Sequence, residues 1–558
     1  MKQLTDEQQA ILATTGDLKI NAVAGSGKTT TLVEYARTRP KGSKILYLAF
    51  NRTVREEASK RFAGFSDWQI KAETAHSLAY KAVVKGKKLQ LSNGFKAYEL
   101  ADFLKIKSKD PEIRYLLATH SQRYLNQFLN SPLQKHTELN YAASLTEPAS
   151  RNFADRFAED LVGFTGKLLQ GIESGALACP HDYYLKQFQL KHPRLSFDYI
   201  LFDEGQDASG VMLHILLRQS ATKLVVGDVH QQIYGWRQAV NSLQQLPFPT
   251  CHLSNSFRFP PEIADMAMRV LSWKQLLPQP FESMQITGLG KTAKVANRAT
   301  LARSNLFLLD RAIQLLQNEQ VSGIWFEGNL SAYTFASDGT SIFDVLALQR
   351  GAVHKVKDAL LRGLGSFEKL EEYLEKAEEP ELAMITEMVR KYGDALPGYI
   401  NALKNLHVAP NDRHKADMIF STVHRSKGLE YDEVQLTTDF VSAEKIHKSL
   451  LEADKHKLHR LNEEINLLYV AMTRARYQLK LPVSLWPPSA VSPVIPESTE
   501  MPAFRRRRPN YINSHEQQHW EWGRVLHRLE EPDETYLHDW LQDEMLQITK
   551  EDADVPDD

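Results

Sequence analysis

Residues 21–36 read NAVAGSGKTTTLVEYA, and the fold turns on what this stretch is built to hold. Leu18 to Val23, just ahead of it, is short, apolar and bounded by Gly16 and Gly25, the pattern of a buried strand. Thr29 to Arg37 reads as a helix with Leu32, Val33 and Ala36 on one side. Between them lies Ala22-x4-Gly27-Lys28-Thr29. In such a loop the backbone N–H groups, here from Ala24, Gly25, Ser26 and Gly27 on to Thr30, converge with a helix N-terminus on a nucleotide's phosphates. Lys28 then reaches the β and γ phosphates, and the Thr29 hydroxyl ligates Mg²⁺. The pattern usually opens with Gly, and here Ala22 opens it. A chance turn would carry similar residues, but the strand-loop-helix context favours the phosphate cradle. Many nucleotide hydrolases share this loop, so it indicates the cofactor and leaves the function open.

A chain of 558 residues predicts two or more domains. Hydrophobic content of 42% and charged content of 25% are those of an ordinary globular protein. No run of about 18 apolar residues occurs, which predicts no membrane span, and MKQLTDEQQA lacks the apolar stretch of a signal peptide. Cys179 and Cys251 show no metal-ligand spacing, so a reducing cytoplasm is expected. The net charge of −1 does not announce nucleic acid, and any such binding must use local patches.

Residues 197–204, FDYILFDE, form an apolar run ending in two carboxylates, as a buried parallel strand does when its end opens on a ligand site. Asp203 can hold Mg²⁺, and Glu204 can accept a proton from water attacking the γ phosphate. In KLVVGDVHQQIYGWRQA, 223–239, a strand is followed by Gln231, Tyr234, Trp236 and Arg237 within seven residues. Aromatics beside an arginine suit base stacking on single-stranded nucleic acid; taken alone, Tyr234 and Trp236 would fit a core better. LSNSFRFPPEIA, 253–264, sets Phe257 and Arg258 before a proline-started helix. STVHRSKGLEYDEVQL, 421–436, offers His424, Lys427 and Glu430 ahead of a strand. EEINLLYVAMTRARYQL, 463–479, is an amphipathic helix carrying Arg474 and Arg476, then a strand.

In this order and spacing the segments resemble the motif set of UvrD/Rep-type superfamily 1 DNA helicases, over residues 4 to about 310 and 418–480. NSFRF and INLLYVAMTRA resemble most the F-box DNA helicase branch, although nothing near the N-terminus reads as an F-box. The resemblance implies ATP with Mg²⁺ as cofactors and Gln8, in LTDEQQAIL, as reader of adenine. It implies Gln206 and Gln231 as sensors of the γ phosphate, and Phe257 as an aromatic stacked on adenine. Arg258 and Arg474 match arginines that reach the γ phosphate as arginine fingers do, and Glu430 matches an acid that contacts the nucleotide. For DNA it implies Phe50, Asn51, Thr74, His76, Tyr234, Trp236, Arg237 and His424. Phe50 and Asn51 are adjacent where the family often separates them by one residue, so Phe50 fits a core position as well as a DNA contact.

The implied fold is α/β, two RecA-like P-loop NTPase-type cores with helical insertions. Residues 1–80 and 196–265 make the first core, interrupted by a helical insertion at 81–195. Phe153, Phe157, Leu161, Phe164, Leu168 and Ile172 recur there at helical spacing. Residues 266–335 and 412–485 make the second core, interrupted by a small helical insertion at 336–411 with Phe367, Leu370 and Leu374 on one stripe. A linker and polar tail fill 486–558, including Arg505 to Arg508. Arginines in a row suit phosphate contacts or a solvated tail equally.

The leading functional expectation is an ATP-dependent motor on single-stranded DNA that unwinds tailed or forked duplex, 3′ to 5′ as the family does. Two others stay open: a motor that strips proteins such as recombinase from DNA, and an ATP-gated DNA-sensing subunit serving a partner nuclease. A pathway in repair, recombination or genome defence fits all three.

Overall fold

The computed structural model describes residues 4–486 apart from 67–68, 87–88, 93, 146, 236–239, 279–280, 282–283, 319, 329–332, 334–340, 378 and 452–454. The linker and tail beyond Trp486, with Arg505 to Arg508, and the residues Trp236 and Arg237 therefore lie outside the described residues. The chain forms two compact units. The first comprises Met1–Phe257 and Gly328–His407, the second Arg258–Glu327 and the chain from Val408 onward.

In the first unit, β1 (Leu18–Ala22), β2 (Ile45–Ala49) and β3 (Ile70–Thr74) alternate with helices Lys28–Arg37, Arg52–Arg61 and Ala75–Val83. A two-residue pair, β4 (Leu91–Ser92) with β5 (Cys179–Pro180), lies in the insertion. Then come β6 (Tyr199–Phe202), β7 (Thr222–Gly227) and β8 (Thr250–Leu253). Six of these form one sheet in the order β3-β2-β6-β7-β1-β8, and every pairing is parallel. Parallel strands are covered on both faces and read as unbroken apolar runs. Accordingly Ile20, Ile45, Tyr47, Leu201, Leu224 and Val226 are fully buried with Leu32 and Ala36 of the helix after β1.

The insertion is helical. Its apolar stripe is divided at Phe157 into helices Pro148–Arg156 and Ala158–Glu173; Leu161, Leu168 and Ile172 are buried, while Phe153, Phe157 and Phe164 are half-buried. The longest helix here, Pro111–Asn130, packs against Ala97–Phe103, Ala158–Glu173 and His181–Leu190.

The second insertion interrupts the chain of the second sheet but belongs in space with the first unit. Helix Phe367–Ala377 buries Leu370, Tyr373 and Ala377, leaving Phe367 and Leu374 half-exposed. Its last carbonyls lack intrahelical donors, and side chains of the first insertion supply them. Ser150 Oγ donates to Lys376 O at 2.8 Å and Arg123 to Ala377 O at 2.8 Å, while His120 Nε2 lies 3.2 Å from Lys376 O. The Tyr373 hydroxyl is 3.0 Å from Thr119 Oγ1. Burial, with Glu379 beside it, pushes that phenol well above its ordinary pKa.

The second unit holds a five-stranded parallel sheet in the order Ile324–Phe326, Met418–Thr422, Arg298–Ala302, Tyr431–Leu436, Ala475–Lys480. Helix Lys455–Met472 packs on helix Pro261–Ser272 beside it. Among the described residues no helix is long and apolar enough to cross a membrane.

Candidate functional site

In open parallel sheets, ligands meet the carboxyl ends of the strands. The first unit brings its candidates to that edge, and the strand order sorts them. Thr74 and His76 follow β3, and Phe50 and Asn51 follow β2. Asp203 and Glu204 follow β6, and Gln231 and Tyr234 follow β7. The phosphate loop follows β1, and Phe257 follows β8. Four of the nucleic-acid candidates thus gather at the β3-β2 end and the nucleotide candidates from β6 to β8.

At the loop, Gly25 and Gly27 adopt φ +74° and +82°, the left-handed region glycine enters at little cost. Gly27 is the N-cap of helix Lys28–Arg37, and no side chain caps that helix. The first N–H groups of a helix have no intrahelical acceptor and suit an anion. Ser26 is only 2% exposed, and its hydroxyl has no hydrogen-bond partner among the described residues. A buried hydroxyl without a partner in this loop fits a phosphate oxygen.

Lys28 Nζ lies 3.4 Å from Glu204 Oε2. Gln206 Nε2 donates to the same oxygen at 2.6 Å. Gln206 Oε1 accepts from Asp228 N at 3.1 Å, and Gln231 Nε2 donates to Asp228 Oδ2 at 2.7 Å. Lys28, Glu204, Gln206 and Gln231 are thus joined in one chain through Asp228. Glu204 holds φ +55°, which a residue with a Cβ rarely adopts; such strain is concentrated at functional sites. Gly205 is packed so tightly that an added Cβ would stand 2.4 Å from Val225 Cγ1.

Asp203 is buried. Its Oδ1 accepts from Glu204 N at 2.9 Å and its Oδ2 from the Tyr47 hydroxyl. Burial first, then the charge of Glu204, raises its pKa. A bound cation would relieve both effects, and the Thr29 hydroxyl with the Asp203 carboxylate is the oxygen donor set that Mg²⁺ takes. Tyr47 is raised well above its ordinary value by burial and by Asp203.

Gln8 is 4% exposed. It closes a capping box with Thr5 and donates from Nε2 to Thr31 Oγ1 at 3.0 Å, tying the first helix to the phosphate-loop helix. Phe257 is 49% exposed, while its N–H donates to Gly25 O at 3.0 Å. It is an open aromatic face anchored beside the loop.

Among the nucleic-acid candidates, Phe50 and Tyr234 stack on each other, with ring centroids 5.7 Å apart and planes 19° apart. Asn51 and Thr74 are N-caps, accepting from Val54 N and Ser77 N. His76 Nε2 lies 3.0 Å from Asp182 Oδ1.

In the second unit three candidates converge. Arg258 Nε donates to Glu430 Oε1 at 2.8 Å and its Nη1 to Thr473 O at 2.8 Å. Arg474, next in the chain, is 2% exposed and donates from Nε to Val470 O at 3.1 Å. All lie at the amino ends of strands Tyr431–Leu436 and Ala475–Lys480. His424 is elsewhere, just beyond the carboxyl end of Met418–Thr422.

Tyr47, Asp182 and Asp228 were missed in the sequence. Asp228 had a signal, a carboxylate ending an apolar run as Asp203 does; Tyr47 and Asp182 had none, because their partners are distant in the chain.

Two parallel sheets with flanking helices, one carrying a phosphate loop beside a carboxylate-ended strand, define a protein of two RecA-like cores. Residues 4–246 match the UvrD/REP helicase N-terminal domain, and residues 356–484 the UvrD-like helicase C-terminal domain. The chain belongs to the UvrD-like helicase family. It is 31% identical over 513 residues to F-box DNA helicase 1 of Gallus gallus, covering 87% of this chain and 49% of that protein. It is 30% identical over 535 residues to F-box DNA helicase protein 1 of Schizosaccharomyces pombe, covering 86% and 57%. DNA helicase II of Escherichia coli is 26% identical over 289 residues, covering 46% and 39%. The chain spans about half the length of the F-box relatives it matches.

Proposed function

We propose that this protein is an ATP-driven motor on single-stranded DNA that unwinds tailed duplex in the 3′ to 5′ direction. The observation that carries the reading is the continuous hydrogen-bonded chain from Lys28 through Glu204, Gln206 and Asp228 to Gln231, three residues from the Tyr234 ring stacked on Phe50. It joins a phosphate loop to a pair of aromatic rings suited to bases. The polarity rests on family membership.

ATP binds with its phosphates on the N–H groups of residues 24–30 and on Lys28, its adenine against Phe257 with Gln8 nearby. Thr29 and Asp203 would hold Mg²⁺, which would shield the phosphate charge. Glu204 takes the proton of the attacking water, and Gln206 and Gln231 register the γ phosphate. Arg258 and Arg474 stabilise the charge of the transition state, and Glu430 holds Arg258 ready. Phe50, Asn51, Thr74, His76, Tyr234, Trp236, Arg237 and His424 grip the strand, bases stacking on the aromatics.

The test measures ATP hydrolysis with single-stranded DNA, with RNA and with no polymer, then unwinding of duplexes carrying a 3′ or a 5′ tail. Stimulation by DNA and unwinding of the 3′-tailed duplex are expected. Hydrolysis indifferent to DNA would sink the motor reading, and preference for the 5′ tail would reverse the polarity.

A further inference from the structure

His76 stands in the first turn of helix Ala75–Val83, directly beyond β3. One helix of the insertion, His181–Leu190, holds its ring from two sides. Nε2 lies 3.0 Å from Asp182 Oδ1, and the Tyr184 ring meets the imidazole edge-on with centroids 6.1 Å apart. Tyr184 is itself fixed, its hydroxyl 2.9 Å from His181 Nδ1. The second oxygen of Asp182 accepts from Asn130 Nδ2 at 2.9 Å. Asn130 is the last residue of helix Pro111–Asn130, whose Thr119, His120 and Arg123 hold the second insertion.

A carboxylate accepts hydrogen bonds and donates none, so this contact keeps a proton on His76 Nε2. With Nε2 held by Asp182, Nδ1 is the nitrogen a bound strand would meet, and the side chain is 30% exposed. As a neutral ring, Nδ1 accepts, for instance from a base amino group; as an imidazolium it donates, for instance to a phosphate. Either way Asp182 decides which nitrogen faces out and at what angle.

We propose that Asp182 is a positioning residue for DNA binding: it orients His76 and sets its tautomer, and Asn130 fixes Asp182 in turn. The grip on the strand beyond β3 thereby depends on the helical insertion, through the helix that also bears the second insertion. The inference rests on His76 being a DNA contact, and its test separates the two ideas.

The full chain is titrated with a fluorescent single-stranded oligothymidine in four forms: wild type, Asp182→Ala, His76→Gln and the double variant. Removing one net hydrogen bond's worth of organisation should weaken binding about threefold to tenfold in Asp182→Ala. His76→Gln should lose at least as much, and the double variant should bind no worse than His76→Gln. Asp182→Glu, which keeps the acceptor, should recover part of the affinity. Nitrogen-15 spectra of the labelled histidines should report a protonated Nε2 for His76 that is lost in Asp182→Ala. Multiplying losses in the double variant, or wild-type binding by Asp182→Ala beside a weakened His76→Gln, would overturn the positioning role. Wild-type binding by His76→Gln would remove the contact itself, and the positioning role with it. Thermal melting accompanies each variant; if Asp182→Ala melts early, Asn130→Ala, which leaves helix His181–Leu190 intact, carries the same cycle.

Discussion

Gln206 Oε1 accepts from the backbone N–H of Asp228 at 3.1 Å, and Gly227 is what lets it approach. A Cβ at Gly227 would stand 2.1 Å from that oxygen. Where β6 and β7 end side by side, one glutamine therefore links the strand end bearing Glu204 to the loop bearing Gln231. With Lys28 at one end, and the Tyr234–Phe50 stack three residues past the other, the chain of bonds runs from the phosphate loop to the aromatic pair.

Gly227→Ala should break this link. The added methyl must expel the Gln206 side chain, so stability should fall by roughly 1–3 kcal/mol, as overpacking usually costs. Stimulation of ATP hydrolysis by single-stranded DNA should fall further than the melting temperature accounts for. A variant that melts early yet keeps full stimulation at low temperature would show that the link carries no signal.

Glu204→Gln should bind ATP and hydrolyse it about 10² times more slowly or worse, because the attacking water loses its base. Lys28→Ala should instead lose nucleotide affinity, since a positioned cation leaves the phosphates. Equilibrium binding of a fluorescent ATP analogue, set against single-turnover hydrolysis, separates the two. Near-normal turnover by Glu204→Gln would remove it from the role of base.

Much of this site was legible because its parts are local. A strand, a glycine loop and a helix N-terminus follow one another in residues 18–37, and Asp203–Glu204 end their own apolar run. Less legible were relations between elements. Strand order β3-β2-β6-β7-β1-β8 is not chain order, so the gathering of Phe50, Asn51, Thr74 and His76 at one end of the sheet, away from the phosphate loop, needed the sheet. The stripe of helix Phe367–Ala377 predicts a buried face but cannot name what covers it, here Thr119, His120 and Arg123 of the first insertion. Asp182 lies 106 residues from His76, and no spacing rule connects them.

Arg258 and Arg474 should respond differently to truncation. Arg258 pairs with the half-exposed Glu430, and such pairs contribute about 0–1 kcal/mol. Arg258 also donates to Thr473 O at 2.8 Å, so Arg258→Ala should lose about 1 kcal/mol of stability, less than Arg474→Ala, while losing hydrolysis, because its interaction strengthens as charge builds in the transition state. Arg474 is buried against backbone carbonyls. It is among the largest fully buried side chains, and truncating it leaves a cavity, so Arg474→Ala should lose roughly 2–5 kcal/mol of stability as well as turnover. Equal melting of the two variants would contradict this difference in burial, and saturated turnover unchanged in Arg258→Ala would make that residue a ground-state contact.

The Phe50–Tyr234 stack is the place to test the proposed grip on DNA. The rings are nearly parallel at 5.7 Å, a pairing worth about 0.5–1.5 kcal/mol beyond the area it buries. If the pair only packs, Phe50→Ala and Tyr234→Ala should each lower the melting temperature, and DNA affinity should fall only as folding does. If bases stack on it, each lost contact should weaken binding by about 1–3 kcal/mol, or roughly 5- to 150-fold. Phe50→Leu and Tyr234→Leu keep apolar bulk but offer no π face, so they should restore much of the melting temperature without restoring affinity for single-stranded DNA. That split is the expected result, because both residues follow strand ends on the ligand edge of the sheet and neither belongs to the fully buried core. Recovery of DNA binding by the leucine variants would make the pair a packing contact and leave the grip to the other strand-end residues.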